Sequence, residues 1–102
     1  MKTSERITRL ADEIEAVLDA NAVSSANPQA MDRLRSAAGA LGPSDPYTSD
    51  KVVDLMGKAQ VFYGPRSLFR LPGRSQSLWG SMRGDLLDRI RMRARVLAAQ
   101  GD

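Results

Sequence analysis

Apolar residues recur along most of this chain at three- and four-residue intervals, and no stretch alternates long enough for a strand, so the pattern predicts an all-α fold. In the first helix, over about residues 4–20, Ile7, Leu10, Ala11, Ile14, Val17 and Leu18 make one apolar stripe. Glu13, Glu15 and Asp19 are expected to point away from it into solvent, and Thr3 or Ser4 supplies the cap. After a polar connector, Asn27-Pro28 has the form of an N-cap followed by proline at the first helical position. Met31, Leu34, Ala38 and Leu41 mark the buried face of a second helix, over 28–41, and Gly42-Pro43 ends it.

Gly42 to Thr48 carries turn chemistry, which places a third helix at about 50–63 with Ser49 before it as the cap. Its expected face is Val52, Val53, Met56, Ala59, Gln60 and Tyr63, with Leu55 and Phe62 beside it. Gly57 in its middle weakens it by roughly 1 kcal/mol relative to alanine unless another helix packs closely there. Gly64-Pro65 is a second stop, and 64–76 reads as an irregular basic segment in which Leu68, Phe69 and Leu71 are too apolar for a solvated linker. A fourth helix over about 77–99 starts near Ser77, or after Gly84 with Asp85 as its cap, and aligns Trp79, Leu86, Leu87, Ile90, Ala94 and Leu97. The expectation is a single domain, a small four-helix bundle or three helices plus a docked loop, whose core includes Leu10, Ile14, Leu34, Met56, Leu86 and Ile90.

Composition narrows the chemistry. Among 102 residues there is no cysteine and no histidine, which removes disulfides, thiolate zinc sites, the cysteine nucleophile and the commonest general base. Asp12, Glu13 and Glu15 are expected as solvated charges on the first helix rather than as an acid/base or metal set. Leu71-Pro72-Gly73-Arg74-Ser75 lacks the second glycine and the lysine of a phosphate loop. Every catalytic role therefore lacks a convergent candidate, and neither an enzyme, a cofactor nor a small-molecule substrate is expected. No apolar run approaches the ~20 residues of a membrane span, and residues 1–20 are too acidic for a signal peptide, so a cytoplasmic protein is the default.

Charge is unevenly spread. Residues 1–50 hold five basic and eight acidic side chains, whereas residues 51–102 hold ten basic and four acidic, and arginine outnumbers lysine twelve to three. Between Phe62 and Trp79 four of the five aromatics interleave with Arg66, Arg70 and Arg74, which are spaced four apart. Such a stretch suits an acidic protein surface, with aromatic and arginine anchors, or single-stranded nucleic acid, with stacking and phosphate contacts. The bland alternative is that the aromatics are core and the arginines solvated.

In the fourth helix Arg91 and Arg95 flank the apolar stripe on one side, Arg89 and Arg93 on the other, Asp85 is spaced to pair with Arg89, and Met92 and Val96 face outward. Gly80 and Gly84 have the spacing of a close helix contact. A helix-turn-helix is disfavoured because the 42–48 connection is too long and the helices on either side of it are poor in base-reading side chains.

The expected function is a non-enzymatic protein-interaction module, a small adaptor, inhibitor or accessory subunit of bacterial or phage type. Its partner is an acidic protein surface or a second copy, with a homodimer or stable hetero-complex expected. The partner-binding candidates are Arg66, Phe69, Arg70, Arg74, Trp79, Arg91, Met92, Arg95 and Val96. Nucleic acid bound by the same arginines is the alternative; a membrane partner is not expected.

Overall fold

A computed structural model describes residues 1–41, 45–67 and 72–102. The elements run α1 (Thr3–Ala20), α2 (Pro28–Leu41), α3 (Pro46–Phe62), α4 (Pro72–Trp79), a π-helical segment (Gly80–Leu86) and α5 (Leu87–Ala99). No strand occurs among the described residues, and the fold is an all-α four-helix bundle in which α4, the π segment and α5 form one continuous helix. Those 28 residues span roughly 40 Å, which accounts for the long dimension of a molecule measuring 46 × 22 × 21 Å.

The first helix buries the stripe its periodicity predicts: Ile7, Leu10, Ala11, Ile14, Val17 and Leu18. Its cap differs from expectation. Lys2 occupies the N-cap without a side-chain bond, Thr3 and Ser4 lie inside the helix, and the Ser4 amide donates to the Asp102 oxygen at 3.2 Å. Asp102 reaches it because α5 ends in a left-handed turn at Gly101 (φ 84°), with Gly101 N–H on Ala98 and Asp102 N–H on Leu97. The end of one helix thus satisfies an orphan donor at the start of another.

Asn27 caps α2 as its sequence implies, its side-chain oxygen accepting from the Ala30 amide at 3.1 Å. The same residue ties the α1–α2 connector down. Its amide group donates to Asn21, its backbone N–H bonds Tyr63, and the Tyr63 hydroxyl donates to the Asn21 carbonyl at 2.7 Å.

Helix α3 begins at Pro46, a turn earlier than the sequence pattern suggests, because Asp45 is the N-cap and proline fits the first helical position. Only residues 42–45 separate α2 from α3. The earlier start turns Thr48 inward, where its hydroxyl and amide both bond the Asp45 carboxylate. The stripe Thr48, Val52, Leu55, Ala59, Phe62 then faces the core. Val53 and Gln60, expected on that face, are exposed, and Met56, expected in the core, is only half-buried at its edge. Gly64 follows the helix at a point where a Cβ would lie 2.5 Å from the Gln60 carbonyl oxygen, so the stop depends on glycine.

The long C-terminal helix starts at Pro72 rather than Ser77, so 72–76, expected to be irregular, are helical; proline here opens a helix rather than a turn. Gly42, Pro43 and Ser44 lie outside the described residues, as do Leu68, Phe69, Arg70 and Leu71. A straight α-helix would place Leu78 about 120° from Ile90 around the axis. In the π segment each residue turns less, and Leu78, Met82, Leu86 and Leu87 all reach the core beside Ile90, Ala94 and Leu97. Nothing lies within 4 Å of a Cβ built on Gly80 or Gly84, so the paired glycines do not mediate close helix packing.

The buried Ile14 side chain is 2% exposed, and Ile14→Ala should lower the free energy of unfolding by ~2–5 kcal/mol in chemical denaturation. Gly57 within α3 and Gly64 just after it should separate in the same assay. A Cβ on Gly57 meets nothing within 4 Å, so Gly57→Ala should stabilise the fold by about 0.5–1 kcal/mol, whereas Gly64→Ala should destabilise it.

Candidate functional site

Folding brings the acidic first helix and the basic C-terminal helix together, antiparallel. Asp12, Glu15 and Asp19 share one edge of α1 and meet Arg91 and Arg83 across the seam. Arg83 donates to Glu15 and to Asp19, both at 2.7 Å. Arg91 donates to Asp12 at 2.9 Å and to Glu15 at 2.6 Å. Glu15 is therefore held between two guanidinium groups, and the five side chains alternate in sign along the seam. Asp12 and Asp19 stay more than half exposed, so these acids are surface charges as expected, but paired across the seam rather than free in solvent. The hydrogen bond from Arg83 holds the Asp19 carboxyl below the usual carboxylate range, against a smaller opposing effect of burial.

A second clamp joins α5 to the start of α3. Arg93 grips Asp45 with two nitrogens, Nε at 3.2 Å and Nη2 at 3.1 Å, while Thr48 bonds the same carboxylate through its hydroxyl and amide. Asp45 is 4% exposed. Burial alone would raise its pKa; the hydrogen bonds from Arg93 and Thr48, with the guanidinium charge, outweigh it and hold the carboxyl below the usual range. The Tyr47 ring lies beneath Arg93 and Lys51, its centroid 5.7 and 5.2 Å from their cationic groups. Arg89 pairs with Asp85 at 2.9 Å, as their spacing predicts.

The sequence-derived site residues consequently part company. Arg91 is engaged with α1 carboxylates. Trp79 is half-buried and packs its ring 5.6 Å from Phe62, which meets Tyr63 edge-on at 4.9 Å, so these aromatics are a core cluster. Burial pushes the Tyr63 hydroxyl up to about 12. Phe69 and Arg70 fall outside the described residues. Arg66 and Arg74 are exposed at either side of that stretch. Met92, Arg95 and Val96 remain on the outer surface of α5, the apolar pair 56% and 40% exposed.

One surface escaped the sequence reading. Between α2 and α3 runs an open, mainly apolar groove of about 400 Å³ bounded by Met31, Ala38, Val52, Val53, Met56 and Gly57, with Arg35 and Gln60 also in its wall. Val53, 71% exposed, forms its outer lip. Towards Asn27 and Pro65 the groove continues past Tyr63, and Arg66 follows directly. The signal for it was the doubled apolar pair Val52-Val53, one member more than a single buried stripe needs. Among the described residues no group of carboxylates is arranged to hold a metal ion, and no helix is long and apolar enough to cross a membrane. The chain matches no known family model, no curated protein and no solved structure.

The pairing of Asp45 fixes the sign of an acid response. A carboxyl depressed in the folded state contributes stability that is complete above the ordinary aspartate pKa of ~3.9 and is lost as pH falls towards its lower folded value. Urea denaturation across pH should show Asp45→Asn destabilised at neutral pH, with the two curves converging at the acid end. A constant difference between them at every pH would contradict the buried Asp45–Arg93 pairing.

Proposed function

We propose that this chain is a non-enzymatic protein-interaction module, of the adaptor, inhibitor or accessory-subunit kind, that receives an apolar segment of a partner protein in the α2–α3 groove. One observation carries the reading: the chain's own carboxylates pair with Arg83, Arg89, Arg91 and Arg93, while Val53, Met92 and Val96 stay on the surface. The folded surface therefore offers apolar contact more than a cationic stripe. Met31 and Met56 give the groove adaptable walls, since thioether side chains repack around differently shaped partners. Exposed Arg35 in the groove wall, with Arg66 next in the chain to Pro65 at its end, suits a partner that carries a carboxylate.

Of the arginines the nucleic-acid alternative calls on, Arg91 is engaged by Asp12 and Glu15, which leaves exposed Arg66, Arg74 and Arg95 to carry that reading. The α2–α3 connection is short enough for a helix-turn-helix, but α3 balances Lys51 and Lys58 with Asp50 and Asp54, pairing each lysine with an aspartate.

Two measurements test the proposal together. Tagged protein passed over nuclease-treated extract should retain a partner that Val53→Asp releases, since Val53 is exposed and its replacement leaves the core intact. Random single- and double-stranded oligonucleotides titrated over a salt series should bind no better than the ~10⁻⁴–10⁻⁶ M of non-specific contact. Tight, steeply salt-dependent oligonucleotide binding that disappears in the Arg66, Arg70, Arg74→Ala variant would overturn the protein-partner reading.

A further inference from the structure

The outer surface of α5 carries its own complement. Asp88, Met92, Arg95, Val96 and Ala99 recur at three- and four-residue spacing, so one face of the helix presents all five, and all five are exposed. The other charges of α5 are satisfied within the chain: Arg89 by Asp85, Arg91 by Asp12 and Glu15, Arg93 by Asp45. Asp88 and Arg95 form no ion pair among the described residues, although Arg95 also borders the cleft beside Glu5 of α1. They are seven residues apart, about 10.5 Å along the axis, which is too far for them to pair with each other. They lie on the same edge of the stripe, with Met92 between them.

This arrangement fits an antiparallel copy of itself. A two-fold axis passing beside Met92 reverses position along the helix while keeping each edge on its own side. Asp88 of each copy then meets Arg95 of the other, so the charge pair forms twice. Met92 packs against Met92, and Val96 lies over the aliphatic stem of Arg89. A parallel pairing would put the two Asp88–Arg95 edges on opposite sides and at mismatched levels, so the reciprocal pair could not form.

The geometry points to the outer face of α5 as a homodimer interface, closed by reciprocal Asp88–Arg95 ion pairs around Met92 and Val96. It deepens the interaction-module reading by naming one partner, a second copy of the chain. The α5 face shares no residue with the α2–α3 groove, so the dimer would present two grooves.

The test is charge reversal read by sedimentation over a protein concentration series at low salt. Wild type should dimerise with increasing concentration. Asp88→Arg and Arg95→Asp each place like charges opposite one another at both contacts and should weaken the dimer at least ~10-fold. The double variant Asp88→Arg, Arg95→Asp should recover dimerisation, and an equimolar mixture of the two single variants should form heterodimers. Circular dichroism of each variant checks that the helices are retained, and Met92→Asp supplies an independent block at the centre of the face.

Wild type monomeric at the highest concentration, or a double variant as weak as the single ones, would overturn the proposal. Because no groove residue is altered, a wild type that captures its partner yet stays monomeric would refute this inference alone. Loss of capture in Val53→Asp is read separately and leaves the dimer untouched.

Discussion

The antiparallel seam between α1 and the C-terminal helix is the contact on which the rest of the structure depends. Ile7, Leu10, Ala11, Ile14, Val17 and Leu18 enter one core with Leu86, Leu87, Ile90, Ala94 and Leu97. At roughly 1.5–3 kcal/mol for each large side chain fully buried, this apolar contact far exceeds the exposed ion pairs beside it, at ~0.2–1 kcal/mol each. The ladder of Asp12, Glu15 and Asp19 with Arg83 and Arg91 does something burial cannot. Hydrophobic contact is non-directional, whereas Glu15 between two guanidiniums fits one direction and one register of the two helices.

That register also explains the π segment. Two constraints act on the C-terminal helix: α5 must turn Ile90, Ala94 and Leu97 towards α1, and α4 must turn Leu78 towards the same core. A uniform helical twist cannot meet both, and the under-turned stretch between them reconciles the two faces. Arg83, which bridges Glu15 and Asp19, lies within that stretch, so the register adjustment and the charge ladder are one feature.

Function follows from what the seam leaves over. Neutralising four C-terminal arginines internally changes a chain with a basic half into one whose surface offers an apolar groove, an outer α5 stripe and scattered cations. The groove exists because α3, positioned by Asp45 and Thr48, sends Val52 into the core and leaves Val53 at the edge against α2. The Asp45–Arg93 clamp fastens that placement to α5, linking the groove wall to the helix proposed to pair with a second copy.

Much of the fold was legible in the order of residues. Helical periodicity gave the all-α class, the stripe of α1, the Asn27-Pro28 start of α2 and the Asp85–Arg89 pair, because each depends on neighbours within a few positions. Outward Met92 and Val96 were legible for the same reason. The start of α3 is ambiguous by one turn in the sequence, since Asp45 and Ser49 are both acceptable caps and only burial of Thr48 against the core favours the first. The destination of the charges was decided by tertiary structure alone. Arg83 lies 64 residues from Asp19 and Arg91 lies 79 from Asp12, and no local pattern distinguishes an arginine that will meet a distant carboxylate from one that will meet solvent. Local chemistry determines which helices form and which faces are apolar; which charged edges meet depends on how the helices pack, and that engaged Arg91 with α1 carboxylates and set Trp79 against Phe62.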